Sequence, residues 1–345
     1  MDKQLFDRFA SRLREQRRNV ISWLNSTPSD QKSVRLGHQP EGAAQAHLKV
    51  LDDAIRKADS EELGRCTVCH EFVETHWLET NYTNCVCLEH LSGEERSRLE
   101  AELELSQKVQ KALLPQSLPA IAGWELAAFS QPASIVGGDY FDFLRFKDGA
   151  HALVIADVMG KGLPASLLMA SLQASLRIVV PESDSPEEVL GRINLLFHHN
   201  INLTKFVTMV VVKLEPGSTA IRYGNAGHNP PVIIRPDGKE GHRLVPLPPT
   251  GAAIGLVENA RFESGEVRVD RGESLMLFTD GVIEAGNAVE GFYGDERLNQ
   301  FLIDHPALSP AEMIRDLRAE LGRFVGERPQ SDDTTIVVLR RAAPE

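Results

Sequence analysis

Hydrophobic residues recur at helical spacing in the first part of the chain. Residues 1–24 carry apolar side chains three or four positions apart between charged ones, which predicts an amphipathic helix. The same spacing returns over residues 43–63, after a segment rich in Pro, Gly and Ser that predicts a loop. We therefore expect an antiparallel helical hairpin at the start of the chain.

A further helix is predicted between residues 92 and 117. Ser92 followed by Glu95 fits a capping box, and Pro115 ends the helical pattern. One seam of this helix is apolar at three of its five positions, which are Leu99, Leu103, Ser106, Gln110 and Leu113. Two interpretations stay open: a linker helix that rests one face on a domain, or a short coiled coil that makes the chain a homodimer.

From about residue 123 onward the pattern changes to short runs rich in β-branched residues. The runs are YFDFLRF, HALVIADV, FVTMVVVKL, TAIRYGNAG, PVIIR, SLMLFTD and TTIVVLR, with helical stretches at about 164–180, 186–200 and 310–325. Turns such as KDG and PDG join neighbouring runs, which predicts mostly antiparallel sheets. We expect a helical hairpin with a cysteine cluster (1–91), a linker helix (92–117) and an α+β domain (118–345).

Composition narrows the class of protein. Hydrophobic residues make up 42% of the 345 residues and charged residues 25%, as in ordinary soluble proteins. The net charge of −12 argues against a nucleic-acid partner, because phosphate neutralisation needs clustered Lys and Arg. No stretch approaches the roughly 18 apolar residues of a membrane span, and the N-terminus lacks the apolar region of a secretion signal. We therefore expect no membrane association and a cytoplasmic location.

Four carboxylates lie where predicted strands begin or end: Asp139, Asp157, Asp280 and Asp332. Turn capping explains an Asp at any one strand end. Four of them predict a shared site, because the ends of neighbouring strands converge. Carboxylate oxygens suit Mg²⁺ or Mn²⁺, and two ions about 3.5–4 Å apart would serve phosphoester hydrolysis.

One hairpin decides whether two of these acids can meet. With a two-residue loop, Asp139 faces Val158 and lies on the opposite face from Asp157. With a three-residue loop over residues 147–149, Asp139 lies directly across from Asp157. A metal site needs the second register, and the sequence leaves both open.

Residues of about 118–341 resemble the metal-dependent serine/threonine phosphatases of the PPM (type 2C) family, in the branch of SpoIIE and RsbU. The matching motifs occur in order: LLPQSLP, VGGDYFDF, IADVMGKGLPASLLMA, FVTMVVVKL, YGNAGHNPP, LFTDGVIEA and SDDTTIVVL. The resemblance implies a β-sandwich flanked by helices. It also implies an enzyme that hydrolyses phosphoserine or phosphothreonine, with a phosphorylated STAS anti-anti-sigma factor of a partner-switching pathway as its substrate.

The same resemblance implies roles for the four acids. Asp157 would bridge two Mn²⁺ or Mg²⁺ ions, and the carbonyl of Val158 would bind one of them. Asp280 and Asp332 would bind the other ion, and Asp139 would ligate or hold water. Asp333 is expected to help or to shape the turn.

Two further residues stand in the motifs. The segment DVMGKG lacks the His that eukaryotic relatives carry as a proton donor. Lys161 could contact phosphate, although a surface lysine in a glycine turn is the favoured interpretation. His228 could shape its turn or contact substrate, and the sequence does not separate these two roles.

The cysteines all fall between residues 66 and 87, and two ligand sets for Zn²⁺ are open. Cys66, Cys69, Cys87 and His90 form the favoured set, because two residues separate the ligands within each pair. The other set contains all four cysteines, including Cys85.

Residues of about 45–91 resemble the zinc finger of the DksA/TraR family, and the likeness implies a structural Zn²⁺. It also raises an alternative function, a transcription-machinery adapter that binds RNA polymerase through the zinc hairpin. Few carboxylates lie near the predicted hairpin tip, so that activity is not carried over. The leading prediction is a phosphatase regulated by this N-terminal module.

Overall fold

A computed structural model describes residues 3–26, 40–73, 86–200, 206–237, 241–287 and 289–342. The helices are α1 (Lys3–Ser26), α2 (Pro40–Asp59), α3 (Gly93–Leu113), α4 (Gly162–Val179), α5 (Pro186–Asn200), α6 (Gly294–Asp304) and α7 (Pro310–Val325). The strands are β1 (Trp124–Gln131), β2 (Tyr140–Arg145), β3 (His151–Val158), β4 (Val207–Leu214), β5 (Ala220–Ala226), β6 (Val232–Asp237), β7 (Gly241–Pro246), β8 (Gly265–Arg268), β9 (Ser274–Phe278), β10 (Gly286–Asn287), β11 (Gly291–Phe292) and β12 (Thr334–Arg341).

Residue contacts divide the chain into two units, Met1–Glu102 and Leu103–Glu345. The boundaries expected from the sequence, at residues 91 and 117, stay predictions.

The N-terminal unit is built on the packing of α1 against α2. Its buried core includes Phe6, Phe9, Leu13, Leu51, Ala54, Ala58 and Leu63. Arg14 pairs with Asp59 at 2.5 Å and Arg17 pairs with Asp52 at 2.5 Å, so the two helices run antiparallel. These exposed ion pairs fix the direction of packing more than they stabilise it, because surface pairs contribute about 0–1 kcal/mol each.

The C-terminal unit is a sandwich of two five-stranded sheets. One sheet has the order β1-β12-β9-β6-β7 and the other has the order β2-β3-β4-β5-β8. Side chains of both sheets meet in the centre, among them Leu153, Ile155, Val210, Val212, Ile233, Leu275, Leu277, Val337 and Leu339. Helices α4 and α5 cover the outer face of the second sheet, and α6 and α7 cover the outer face of the first. The predicted fold class, an α+β sandwich flanked by helices, is confirmed.

Strand β3 shows why the central strands read as unbroken apolar runs. Leu153 and Ile155 face the opposite sheet. Ala152, Val154 and Ala156 face the helices. Both faces of the strand are buried, so polar residues do not alternate with apolar ones as they would at a solvated sheet.

The elements that the sequence missed are the less regular ones. Strands β1, β7, β8, β10 and β11 and helix α6 were not predicted. Most of β1 is half-buried, and β8 has four residues, so neither carries a strong apolar pattern. The capping box at the start of α3 is present, because Glu95 and Ser92 exchange hydrogen bonds of 3.0 and 3.2 Å.

One described segment, Gly162–Glu182, is long and apolar enough to cross a membrane by length and composition alone. It departs from the expectation that no stretch would reach this length. Met169, Leu172 and Leu176 on this segment are fully buried in the core of the C-terminal unit. Packing against the outer face of the second sheet therefore accounts for the apolar residues on the buried side of this segment.

Candidate metal centre

The β2–β3 hairpin closes through a three-residue loop. The Phe146 N–H donates to the carbonyl of Ala150 at 2.9 Å, which brackets residues 147–149. Gly149 has a φ of +84°, the left-handed conformation that this loop type needs at its last position. The structure therefore selects the second of the two registers left open by the sequence.

This register brings the first two acids together. Tyr140 pairs with Ala156, so the next pair along the ladder would be Asp139 with Asp157. The Asp139 carboxylate is buried and accepts a hydrogen bond of 2.8 Å from the hydroxyl of Thr279. Thr279 belongs to the opposite sheet, so Asp139 lies between the two layers of the sandwich.

The other two acids are brought in by strands β9 and β12, which are neighbours in one sheet. Phe278 pairs with Ile336, and Asp280 follows the first strand while Asp332 precedes the second. The link continues past the ladder, because the Thr279 N–H donates to the Thr335 carbonyl at 3.0 Å. Two acids that lie 52 positions apart in sequence thus lie close together, at the adjacent ends of two neighbouring strands.

The ends of these strands and the adjoining loops line a cavity of about 210 Å³. Its lining is Asp157, Met159, Gly160, Lys161, Phe206, Thr208, Gly227, His228, Asn229, Asp280 and Asp332. Three of the four predicted acids line the cavity, and Asp139 lies buried behind it. Another cavity of about 260 Å³ lies on the far side of the turn after Asp280, and no carboxylate lines it.

The acids in this centre raise one another's pKa. Burial, together with the charges of Asp280 and Asp332, raises the pKa of Asp157 to about 7. Burial and the Asp332 charge raise the pKa of Asp280 to about 6. Burial and the charge of Asp157 also raise the pKa of Asp139 well above its usual value. Such crowding is costly without a cation, so the donor set fits a hard divalent ion with oxygen ligands.

Lys161 supplies positive charge to this centre. Its ammonium lies 2.9 Å from the Asp332 carboxylate and donates to the Ser331 carbonyl at 2.5 Å. Partial burial lowers the pKa of Lys161, but the hydrogen bond to Asp332 and the charges of the nearby acids together outweigh it, and the net shift is upward. Lys161 is a surface lysine in a glycine turn, as the sequence favoured, and it also lines the cavity.

Asp333 is not among the residues that line the cavity, and it holds the loop that carries Asp139. Its carboxylate accepts hydrogen bonds from the N–H groups of Ala133 at 2.7 Å and Gly138 at 2.6 Å. A Cβ on Gly137 would lie 2.2 Å from this carboxylate, so only glycine fits there. The expected helper role of Asp333 agrees with these contacts.

His228 lines the cavity and is tied into its own turn, and its contact with substrate stays a prediction. Its Nδ1 lies 2.8 Å from the Thr208 hydroxyl, and Asn225 holds its backbone N–H at 2.8 Å. Burial lowers the pKa of His228 to about 4, so the ring is neutral near pH 7. Thr208 stands across the ladder from Asp157. Thr208, Thr279 and Asn225 stand in the quoted motifs but were not predicted as site residues. Thr208 and Thr279 act through partners that are distant in sequence, whereas Asn225 binds His228 three residues away.

The four favoured ligands of the cysteine cluster meet in the N-terminal unit. The ligand atoms of Cys66, Cys69, Cys87 and His90 all lie within 4.8 Å of one another. The sulfurs of Cys69 and Cys87 are 3.5 Å apart, and the Cys87 sulfur is 3.0 Å from His90 Nδ1. Zn–S bonds of about 2.3 Å in a tetrahedron place sulfurs about 3.8 Å apart, so the cluster fits Zn²⁺. Cys85, the alternative ligand, lies outside the described residues.

Backbone amides prepare Cys66 for a metal. The N–H groups of Val68 and Cys87 donate to its sulfur at 3.4 and 3.5 Å. Burial works in the opposite direction, but the amides prevail and lower the pKa of Cys66 to about 6. The thiolate form, which binds metal, is therefore favoured at neutral pH.

Comparison with known proteins supports the family and fold predicted for the C-terminal unit. The family model described as stage II sporulation protein E (SpoIIE) matches residues 147–342. Phosphoserine phosphatase RsbU of Bacillus subtilis is 26% identical over 246 residues, which are 71% of this chain and 72% of RsbU. Phosphoserine phosphatase RsbP of the same organism is 25% identical and protein IcfG of Synechocystis is 28% identical. The chain covers 57% of RsbP and 41% of IcfG, less than two thirds of each.

Solved structures agree on the fold. The SiaA-PP2C domain of Pseudomonas aeruginosa matches 72% of this chain and 99% of that domain, with a TM-score of 0.63 and 23% identity. The RsbU and RsbW domains of a Mycobacterium tuberculosis protein match 68% of this chain and 64% of theirs, with a TM-score of 0.54 and 27% identity.

Proposed function

The chain belongs to the SpoIIE family and carries its PP2C-type phosphatase fold, and from this premise we propose that it is a metal-dependent protein phosphatase. Its substrate is phosphoserine or phosphothreonine on a signalling protein, a STAS anti-anti-sigma factor in a partner-switching pathway. Two of the relatives, RsbU and RsbP, are named phosphoserine phosphatases.

One observation carries the proposal, the acidic cavity of the C-terminal unit. Asp157, Asp280 and Asp332 line it, Asp139 lies behind it, and burial keeps their carboxylates crowded. In the proposed assignment these four side chains and the Val158 carbonyl hold two Mn²⁺ or Mg²⁺ ions. The bound ions would supply Lewis-acid polarisation of the phosphoester.

The remaining residues of the cavity position the substrate. The Lys161 ammonium lies at the cavity and can meet a phosphate oxygen as a point charge. His228 is neutral near pH 7, so it takes part as a hydrogen-bonding group and does not protonate the leaving serine. Its bond to Thr208 holds the strand segment opposite Asp157.

The test is turnover by the purified full-length chain with Mn²⁺ or Mg²⁺. We expect hydrolysis of p-nitrophenyl phosphate and of a phosphorylated STAS protein, and loss of both in Asp157→Asn. Asp270→Asn, which changes an exposed turn acid that also follows a strand, is the matched control and should keep full activity. Absence of turnover with any divalent ion in the full-length protein would refute the proposal.

Regulation by the N-terminal module completes the proposal. Zn²⁺ at Cys66, Cys69, Cys87 and His90 stabilises that module, and α3 connects it in sequence to the phosphatase. Leu105 and Val109, one helical turn apart on α3 and outside the seam predicted from the sequence, are 62% and 54% exposed, which supports a homodimer through this helix. We assign the protein to the cytoplasm, where partner-switching proteins would meet it.

A second function rests on the Cys/His cluster and the helical hairpin beside it. In that hypothesis the zinc hairpin binds RNA polymerase and the phosphatase unit is auxiliary. Co-purification with polymerase that survives Asp157→Asn but not Cys66→Ser would support it. Turnover that needs the acidic cavity, without any polymerase association, would leave the phosphatase proposal alone.

A further inference from the structure

The cavity of about 260 Å³ in the C-terminal unit is lined by basic, polar and apolar residues. Its two basic side chains are Arg318 and Arg328, and we call it the arginine cavity. Phe129, Leu321 and Val325 supply apolar surface beside them. No carboxylate lines it among the residues that the structure describes, although the chain as a whole carries a net charge of −12. The cavity is therefore a local basic site in an acidic protein, and it suits an anionic ligand.

Both arginines have hydrogen-bond donors to offer. The Arg318 guanidinium lies over the Phe129 ring, 3.7 Å from its centre, which fixes the guanidinium plane and leaves the N–H groups at its edge. Within the described part of the chain, neither Arg318 nor Arg328 makes an ion pair or a hydrogen bond. Arg315, one turn earlier on α7, is different, because it pairs with Asp316 at 2.8 Å. The two arginines of the cavity can thus bind a ligand without first breaking an internal pair.

The arginine cavity adjoins the acidic cavity at two stretches of chain. Gly281 lines the arginine cavity, and its neighbour Asp280 lines the acidic one. Ser331 and Asp332 are divided between the two cavities in the same way. A Cβ on Gly281 would clash with the carbonyl of Asp333, so the two stretches touch backbone to backbone. One thin wall therefore separates the arginines from the acids of the predicted metal centre.

Hydrogen bonds hold this wall in place. The Gln330 side chain donates to the carbonyls of Gln131 at 3.0 Å and Asp332 at 2.7 Å, which ties the wall to the end of β1. On the side of the acidic cavity, Lys161 donates to the Ser331 carbonyl. The fold thus sets the spacing between the two cavities, and a ligand that reaches both must match that spacing.

We propose that the arginine cavity is a second substrate subsite of the phosphatase, in which Arg318 and Arg328 bind an acidic side chain of the phosphoprotein three or four residues from its phosphoserine. This inference rests on the proposed function, which places the phosphate at the acidic cavity. Three to four extended residues span roughly 10–14 Å, the scale of two adjoining cavities of this size. Arginine binds a carboxylate through two parallel hydrogen bonds, so the subsite selects substrates by charge and by position.

The experiment compares two phosphoserine peptides as substrates of the full-length protein with Mn²⁺. One peptide carries glutamate at the third and fourth positions on both sides of the phosphoserine, and the other carries glutamine there. We expect kcat/KM to be about tenfold higher for the glutamate peptide at low salt, as for one charge-assisted hydrogen bond. The preference should shrink as NaCl screens the charges. The net charge of −12 opposes an acidic peptide, so a preference for it requires a local basic site.

Variants assign the preference to the arginines. Arg328 lies in an exposed loop after α7, so its substitution should leave the fold intact, which circular dichroism checks. Arg328→Gln should remove most of the preference, and Arg328→Glu should reverse it toward a peptide with lysine at the same positions. Arg318→Gln should also remove it, although that variant gives up the contact with Phe129 as well. Arg315→Gln, on the same helix but outside the cavity, is the matched control and should keep the preference.

The subsite and the proposed function can fail separately. Wild-type protein that hydrolyses both peptides equally well, or Arg328 variants that keep the wild-type preference, would overturn the subsite and leave the phosphatase standing. Wild-type protein that hydrolyses neither peptide with any divalent ion would refute the proposed function. Isothermal titration of the same peptides then decides on the subsite, because equal binding of the glutamate peptide by wild type and Arg328→Gln would overturn it.

Discussion

The two candidate metal sites of this chain differ in how far apart their residues lie in sequence. The four proposed ligands of the Cys/His cluster come from residues 66–90, and the four acids proposed for the acidic cavity come from residues 139–332. Backbone N–H groups of the cluster's own segments satisfy the Cys66 sulfur, so the first site is closed and local. The second site borders a cavity that can admit a reactant. Its crowded carboxylates have raised pKa values because their negative charges repel one another.

The contrast is the one expected between a structural metal site and a catalytic metal site. A structural Zn²⁺ site fills its coordination sphere with protein ligands, whereas a catalytic site keeps space for a reactant. Soft sulfur and nitrogen donors in one site and oxygen donors in the other also separate the two metals by chemistry. Each of the following predictions tests one side of this contrast.

The largest expected effect is on the N-terminal unit when Zn²⁺ is removed. Structural zinc supplies about 10–16 kcal/mol in zinc-finger peptides, more than a small unit gains from its core. We expect Cys66→Ser to abolish Zn²⁺ binding and to unfold the segment around the cluster, seen as loss of protection in hydrogen exchange. Mn²⁺ binding at the acidic cavity should be unchanged. A cluster that stays protected without metal would mean that its packing suffices.

Loss of one acidic ligand should abolish activity and leave the fold intact. Asp332→Ala removes a predicted ligand, and several kcal/mol of transition-state stabilisation correspond to a loss of about a thousandfold in kcat. Steady-state kinetics with Mn²⁺ would measure it, and circular dichroism should match the wild type. Asp270→Asn is again the control, and a loss of less than about tenfold in Asp332→Ala would argue against its assignment as a ligand.

The repulsion between the carboxylates of the cavity should lower the free energy of unfolding of the metal-free protein. The pKa of Asp157 is about 7 when folded and 3.8 in the unfolded reference, so between these values the folded chain binds a proton that the unfolded chain does not. Metal-free protein should therefore become more stable as pH falls from 7 toward 4. Asp157→Asn should remove this contribution and stabilise the metal-free protein at pH 8 by about 1–4 kcal/mol.

Urea unfolding in chelator at pH 8 and pH 5 would measure the difference between wild type and Asp157→Asn. Comparing the two proteins cancels the opposite contribution of His228, whose low pKa costs stability as pH falls from about 6.5 to 4. An Asp157→Asn variant that is less stable than the wild type at pH 8 would contradict the stored repulsion.

The smallest effect is expected at Asp333, which touches the loop and not the cavity. Asp333→Asn keeps the size of the side chain but replaces one acceptor oxygen by a donor that faces an N–H group. We expect Mn²⁺ affinity to fall about tenfold and kcat at saturating Mn²⁺ to fall much less than in Asp332→Ala. Equal losses of kcat in the two variants would make Asp333 a ligand.

Much of the fold could be predicted because its signals are local. The central strands are short runs of β-branched residues, and the motifs around Asp139, Asp157, Asp280 and Asp332 occur in the order of a known family. The resemblance to the SpoIIE branch is confirmed, whereas the ligand roles of these four acids stay predictions. The grouping of Cys66, Cys69, Cys87 and His90 could be predicted for the same reason, since two residues between Cys66 and Cys69 suit one turn around a metal, and their binding of Zn²⁺ stays a prediction.

The tertiary structure alone decided the register of the β2–β3 hairpin and the partners of the acids. A change of one residue in loop length moves Asp139 to the other face of the sheet, and the same sequence is compatible with both loop lengths. The pairing of Gln110 with Gly137 likewise joins residues 27 positions apart that share no periodicity. Sequence thus determined which elements form and which chemistry they carry, because those depend on neighbours along the chain. Which side chains meet was decided by sheet pairing and packing, whose energies depend on the whole fold.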